Sequence, residues 1–254
     1  MGKVYLIGAG PGAADLITLR GARLLAQAGV VFHDALVQPE LLALAPQAQH
    51  VAAGKRCRQL SPSQHSTAQR FINRALVEAA QRYAVVVRLK GGDAMLFGRA
   101  QEEIAALRDA GIEYEIVPGV TSALAAAADL GVSLTQRGVS RNVVFVTPRV
   151  GEGEAASDWT RSVLAADTAV LYMASGQAAA IAASLIRCGL PGSTPAALVS
   201  HASLPTMQKI LTTLAQLPKV ACEAGSPALI VLGEVLRAQS VQSLPELIEK
   251  SIRA

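Results

Sequence analysis

The stretch KVYLIGAGPG (3–12) decides the fold. Lys3–Ile7 is a short apolar run of the kind a buried strand carries, and Gly8-Ala9-Gly10-Pro11-Gly12 ends it where the backbone must turn sharply. Outward from that strand the chain alternates. Leu16–Ala28 shows helical periodicity, and Val30–His33 is the next strand. Helical Gln64–Arg82 precedes strand Ala84–Leu89, which stops at Gly91-Gly92. Ala100–Ala110 reads as a helix, Tyr114–Val117 as a strand punctuated by Pro118-Gly119, and Thr121–Leu130 as an alanine-rich helix. This βαβα order predicts an α/β fold with a mainly parallel sheet and helices on both faces.

A second series of elements follows. Strands are expected near Asn142–Thr147, over TAVLYM (168–173), at Ala196–Val199 and at Ala228–Leu232. Helices are expected over Ala178–Cys188 and Leu244–Ile252, while Leu204–Leu217 has no clear pattern. Gly138 and Ser140 interrupt the chain between two apolar runs, so a division into 1–138 and 139–254 is expected. A chain of 254 residues accommodates two such domains.

Composition narrows the partners. Half the residues are apolar and 17% are charged, which supplies a packed core and argues against disorder. Aromatics at 4% are too few for a surface that stacks successive bases, and a net charge of +4 suits an acidic small molecule as well as RNA. Cys57, Cys188 and Cys222 are scattered, as are the four histidines, so neither a disulfide framework nor a metal site is expected. The first strand follows directly on Met1-Gly2 without a cleavable leader. No apolar stretch approaches the roughly 18 residues of a membrane span, so a cytoplasmic chain with no membrane or nucleic-acid partner is expected.

Three glycine-bearing loops follow strands. Gly8–Gly12 is a poor dinucleotide fingerprint, with its third glycine one position early and Pro11 in the turn. Gly91-Gly92-Asp93 stands where ligands of open α/β sheets bind, outside a strand's carboxyl end. Its aspartate either accepts hydrogen bonds from a hydroxyl or ammonium group, or caps the following helix. Pro118-Gly119-Val120-Thr121-Ser122 again opens a helix, and its hydroxyls are equally suited to capping. Together the three loops suit a nucleoside-like ligand held without an NAD fingerprint or a P-loop lysine.

The segments VYLIGAGPG (4–12), VVRLKGGDAMLFGR (86–99), VPGVTSALAAAADLGVSLTQR (117–137), LYM (171–173) and SPALIVLGEV (226–235) together resemble the uroporphyrinogen-III C-methyltransferases, within the wider tetrapyrrole methyltransferases. The resemblance implies a two-domain tetrapyrrole methylase-like fold, with a mainly parallel N-terminal sheet, a mixed C-terminal sheet and the active site in the interdomain cleft, usually in a homodimer. It implies S-adenosylmethionine as methyl donor and no metal. By motif match the cofactor residues are Pro11, Gly91, Gly92, Asp93, Leu96, Thr121, Ser122 and Met173, with Ala197 and Ala202 less closely matched. Departures fall in loops: Ala94 and Ala100 replace a proline and a glycine of GGDPFVFGRG, Gln136 stands in LTQR, and Thr147-Pro148-Arg149 replaces TGH.

Uroporphyrinogen III has eight carboxylates, which arginine grips in bidentate fashion. The resemblance makes Arg99 and Arg137 the substrate anchors, with Glu102 one turn after Arg99 to orient its guanidinium or assist proton removal. Asp34 matches a proposed proton acceptor and Lys55 a proposed proton donor. The basic run Lys55-Arg56-Cys57-Arg58 either attracts the polyanionic substrate or is a solvated loop. The implied reaction is methylation at C2 and C7 to precorrin-2, for siroheme, cobalamin or haem d1. The alternatives are a later precorrin C-methyltransferase and a non-catalytic S-adenosylmethionine-binding module. Relatives that methylate RNA or a protein histidine fit the two arginine segments less well, and a dehydrogenase is a further option that a failure to bind NAD would remove.

Overall fold

A computed structural model of the chain describes residues 1–53, 62–151, 155, 157–222 and 225–238. In chain order the elements are β1 (Lys3–Gly8), α1 (Leu19–Leu25), β2 (Val30–His33), α2 (Pro39–Leu42), β3 (Gln49–Ala52), α3 (Pro62–Ala80), β4 (Val85–Lys90), α4 (Ala100–Asp109) and β5 (Tyr114–Val117). Then come α5 (Ser122–Leu130), β6 (Val143–Val146), α6 (Trp159–Leu164), β7 (Thr168–Leu171), α7 (Ala178–Arg187), β8 (Pro195–Ser200), β9 (Gln208–Thr213), α8 (Leu217–Val220) and β10 (Ala228–Gly233). The expected closing helix, Leu244–Ile252, lies outside the described residues.

Backbone contacts divide the chain into two units, Met1–Ser122 and the residues from Ala123 onward. The first unit holds a five-stranded sheet in the order β3-β2-β4-β1-β5, with every pairing parallel. Strands buried on both faces read as apolar runs; central β1 does so over Val4–Ile7, and central β4 over Val85–Val87 before Arg88 and Lys90 interrupt it. On one face Val4, Leu6, Val30, Phe32 and Val86 pack against Leu76 of α3 and Ile104 and Leu107 of α4. On the other, Ile7, Val31, Val87 and Leu89 pack against Leu25 of α1 and Leu41 of α2. The sheet is therefore covered by helices on both sides, as the βαβα order requires.

The second unit's sheet runs β6-β7-β10-β8-β9. Only β6–β7 is parallel; β7–β10, β10–β8 and β8–β9 are antiparallel, so the sheet is mixed. Helix α5 is tied to this unit by polar contacts at both ends. Ala123 N–H donates to the Tyr172 hydroxyl (3.2 Å), Ser203 N–H donates to Asp129 (2.7 Å), and Lys209 donates to the Asp129 carbonyl (2.7 Å).

Two differences from the sequence reading have simple causes. The helix expected over Leu16–Ala28 begins only at Leu19, because Thr18 caps it by accepting from Gly21 N–H (3.1 Å); Ala14–Leu16 forms a separate 3₁₀ turn. Strands β3 and β9, which the sequence does not announce, are the outer strands of their sheets. Their sequences, QHVA and QKILTT, keep polar side chains on an edge that needs little apolar surface.

Candidate active site

The carboxyl ends of β1, β4 and β5 are neighbours, and glycine makes their approach possible. Gly10 and Gly92 pair backbone to backbone: Gly92 N–H donates to the Gly10 carbonyl (2.7 Å) and Gly10 N–H to that of Gly92 (3.2 Å). A Cβ on Gly8 would fall 2.6 Å from Gly119 Cα and 2.8 Å from the Gly92 carbonyl oxygen. Backbone stands on both sides, so no side-chain rotation can relieve that overlap. Gly8→Ala is expected to part the loops after β1 and β5, costing about 1–3 kcal/mol as overpacking does. A lowered melting temperature and weaker S-adenosylhomocysteine binding, both read by calorimetry, check this.

Asp93 locks the arrangement. One carboxylate oxygen accepts from Met95 N–H (2.8 Å) and tightens its own turn; the other accepts from Gly119 N–H (2.9 Å) and fastens the β4 loop to the β5 loop. It does not cap α4, whose N-cap is Arg99. A carboxylate has about four acceptor sites, so two protein donors leave capacity for a ligand's hydroxyl or ammonium. Gly92 has φ +68°, and a Cβ there would meet nothing nearer than Thr121 Cα at 3.9 Å. The strand ends thus present bare backbone with Pro11, Asp93 and Thr121 at the margins and Leu96 half-buried along the β4 loop. A cradle without side-chain bulk, beside an anchored carboxylate, has room for a ligand that brings hydroxyl or ammonium groups close to backbone.

Asp34, just past β2, stands at the same end. Its carboxylate accepts from Arg88 Nη2 (2.6 Å) and more weakly from Gly91 N–H (3.4 Å). Behind it lies a buried ionic network absent from the sequence reading. Arg88 Nε donates to Glu103 (3.0 Å), and Lys90 Nζ donates to both Glu103 oxygens (3.1 and 3.0 Å). Gln69 adds a donor to Glu103 (3.3 Å). Arg88, Lys90 and Glu103 are only 3%, 2% and 0% exposed. Burial disfavours the Asp34 charge, but Arg88 and Lys90 outweigh it and hold the carboxyl below the ordinary range. Burial likewise opposes the Arg88 charge, yet Asp34 and Glu103 push its pKa up. Desolvation, with Arg88 alongside, draws Lys90 below the usual lysine value despite Glu103. The signal in the sequence is VVVRLK itself: two cations on one face of an otherwise apolar strand require a buried counter-charge.

Arg99 starts α4 in the left-handed region (φ 54°) and is gripped in bidentate fashion by Glu102, with Nε and Nη2 donating at 2.6 and 2.8 Å. Phe97, two residues before it, is also left-handed (φ 52°). Non-glycine residues in this region cost energy and concentrate at working loops. In the second unit Met173 (φ 55°), His201 (φ 52°) and Ser203 (φ 69°) follow β7 and β8 in the same conformation. Met173 is exposed, Ala202 is buried beyond β8, and Ala197 is enclosed within β8 opposite Leu211 and Val231. Arg137 is exposed and has no side-chain partner among the described residues; Ser122 is half-buried at the start of α5. Lys55 lies outside the described residues, as do Arg56, Cys57 and Arg58. Among the described residues no helix is long and apolar enough to cross a membrane, and no group of three His, Cys, Asp or Glu is placed to hold a metal.

Comparison with known proteins fits this geometry. Residues 3–218 match the family model for tetrapyrrole (corrin/porphyrin) methylases. Siroheme synthase of Zymomonas mobilis is 43% identical over 240 residues, covering 94% of this chain and 50% of that protein. Siroheme synthase 1 of Klebsiella pneumoniae is 44% identical over 237 residues, covering 93% and 49%. The chain therefore spans about half the length of the curated relatives it matches. Among solved structures, uroporphyrin-III C-methyltransferase of Thermus thermophilus complexed with S-adenosylhomocysteine aligns with a TM-score of 0.80 at 38% identity, over 93% of this chain and 94% of that one. A cobalt precorrin-4 methyltransferase aligns at 0.75 and 30% identity, over 92% and 95%.

Proposed function

The chain belongs to the tetrapyrrole (corrin/porphyrin) methylase family, and on that premise we propose that it is an S-adenosylmethionine-dependent C-methyltransferase acting on uroporphyrinogen III, at C2 and C7, to give precorrin-2. The observation that carries the reading is the glycine cradle at the ends of β1, β4 and β5 with the Asp34 carboxylate at its edge. It is supported by the likeness to a uroporphyrin-III C-methyltransferase over nearly the whole of both chains.

When bound, S-adenosylmethionine supplies a sulfonium-activated methyl group, which an electron-rich pyrrole carbon takes with release of S-adenosylhomocysteine. The protein's task is then alignment and charge handling. Pro11, Gly91, Gly92, Asp93, Leu96, Thr121 and Ser122 hold the donor, and the resemblance adds Met173, Ala197 and Ala202. Asp34 receives the one proton that the methylated ring must shed for each methyl gained, and Lys55 takes the position of a proposed proton donor. Arg99, oriented by Glu102, and Arg137 hold substrate carboxylates. No metal takes part, and the working form is a cytoplasmic homodimer.

Arg137→Ala is expected to raise KM for the tetrapyrrole roughly tenfold or more with kcat little changed, because hydrogen bonds to charged groups contribute about 1.5–3 kcal/mol and this one acts equally on bound substrate and transition state. Steady-state kinetics at fixed S-adenosylmethionine checks it. The reading itself is tested by S-adenosylhomocysteine release under anaerobic conditions. Release dependent on uroporphyrinogen III supports it. Release only with a later precorrin favours the second reading, motivated by the likeness to cobalt precorrin-4 methyltransferase.

A further inference from the structure

Burying arginine and lysine on a central strand carries a desolvation cost that only close, well-hydrogen-bonded counter-charges offset. Arg88 points along the sheet face toward the β2 end, pinned at four places. Its Nε donates to Glu103 (3.0 Å), its Nη1 to the carbonyls of Leu89 (3.2 Å) and Phe32 (3.4 Å), and its Nη2 to Asp34 (2.6 Å). Glu103 is held from the other side by Lys90, and Gln69 donates to it and to Asn73. Asn73 in turn donates to the Glu102 carbonyl (3.1 Å), which joins α3 to the turn carrying Arg99. Gly98 closes the array: a Cβ there would lie 3.1 Å from Lys90 Cε. Of the four charges, only Asp34 reaches solvent appreciably, with its side chain 33% exposed against 4%, 2% and 0% for Arg88, Lys90 and Glu103.

We propose that Arg88, clamped by Glu103 and Lys90, is a positioning residue that fixes the Asp34 carboxylate, ionised and in one orientation, at the edge of the Gly91-Gly92 cradle. The proposal rests on the base role assigned to Asp34 above. The two cations and two anions balance, so the array adds no net charge to the core. Its one solvent-facing member is the carboxylate next to the backbone of Gly91. Arg88 and Lys90 of β4 are the charged groups among the described residues that bear on it, and Glu103 of α4 pairs with both of them; the His33 ring meets the Asp34 carbonyl through Nδ1 (3.2 Å).

The test uses the full chain with its aspartate carboxyl carbons labelled with ¹³C, Asp34 being assigned by its loss in Asp34→Asn. In the wild type the Asp34 carbon is expected to titrate below ordinary aspartate, and in Arg88→Gln to return to the ordinary range. Arg88→Lys should restore part of the depression, which a merely space-filling role would not. In the same variants the acid limb of the pH–kcat profile should move with the NMR titration. At neutral pH, kcat of Arg88→Gln should fall at least tenfold while KM for S-adenosylmethionine stays within about twofold. An unchanged Asp34 titration in Arg88→Gln overturns the proposal. If that variant fails to fold, an Asp34 titration in Arg88→Lys identical to that of a distant exposed aspartate overturns it equally. A titration that moves while kcat does not supports the clamp and removes the base role from Asp34.

Discussion

Glu103→Ala is expected to destabilise the first unit by about 3–5 kcal/mol, because it strips a buried pair of cations of their shared anion. Glu103 is fully enclosed and accepts from Arg88, Lys90 and Gln69. Without it Lys90 has no carboxylate in hydrogen-bond contact among the described residues, and Arg88 keeps only Asp34. The double variant Glu103→Leu with Lys90→Leu removes one charge of each sign and leaves the Arg88–Asp34 pair intact. It should therefore recover much of the loss, since apolar replacement of a buried ion pair is often neutral. Urea unfolding followed by far-UV circular dichroism, with amide exchange on β4, reads both variants. The single tryptophan, Trp159, lies on α6 of the second unit and is the wrong probe here. A loss below about 1 kcal/mol for Glu103→Ala, the scale of an exposed pair, would contradict the description of this network as buried and coupled.

Asp34→Asn is expected to lower kcat by about 10²- to 10⁴-fold, the usual worth of a positioned proton acceptor. The asparagine keeps the size of the side chain and its amide oxygen can still face Arg88, so affinity for S-adenosylmethionine should hold. Because the folded-state pKa of Asp34 is depressed, its ionisation contributes stability that is fully present above the unfolded carboxyl value and is lost as pH falls through the folded-state one. Wild type should thus lose stability on acidification more steeply than Asp34→Asn over that acid window. Parallel melting curves through the window would show the difference, and superposable slopes would contradict it.

The parallel core was legible in the sequence because central strands carry apolar residues on both faces, as β1 does over Val4–Ile7 and β4 over Val85–Val87 and at Leu89. Their glycine-rich ends were legible for a related reason: close approach of backbones tolerates no Cβ at Gly8 or Gly119, and Gly92 takes a positive φ, so glycine is written at all three. The edge strands β3 and β9 were not, since an outer strand is relieved of the apolar pattern that reveals an inner one. Arg88 and Lys90 were hidden by the opposite effect. A charge in a strand reads as a solvent-facing position, and only the fold shows that α4 brings Glu103 down onto that face. The Arg99–Glu102 pairing followed from helical spacing alone. Asp93 shows the middle case: its place after Gly92 marked a site, while its grip on Gly119 depends on which strands the topology makes neighbours.

Carbon methylation of uroporphyrinogen III is read from the mass and ¹³C spectrum of the tetrapyrrole recovered after anaerobic turnover with S-adenosylmethionine bearing a ¹³C-labelled methyl group. The expected product has gained two labelled methyl groups on ring carbons. An unchanged tetrapyrrole, from protein that demonstrably binds S-adenosylhomocysteine, would contradict it.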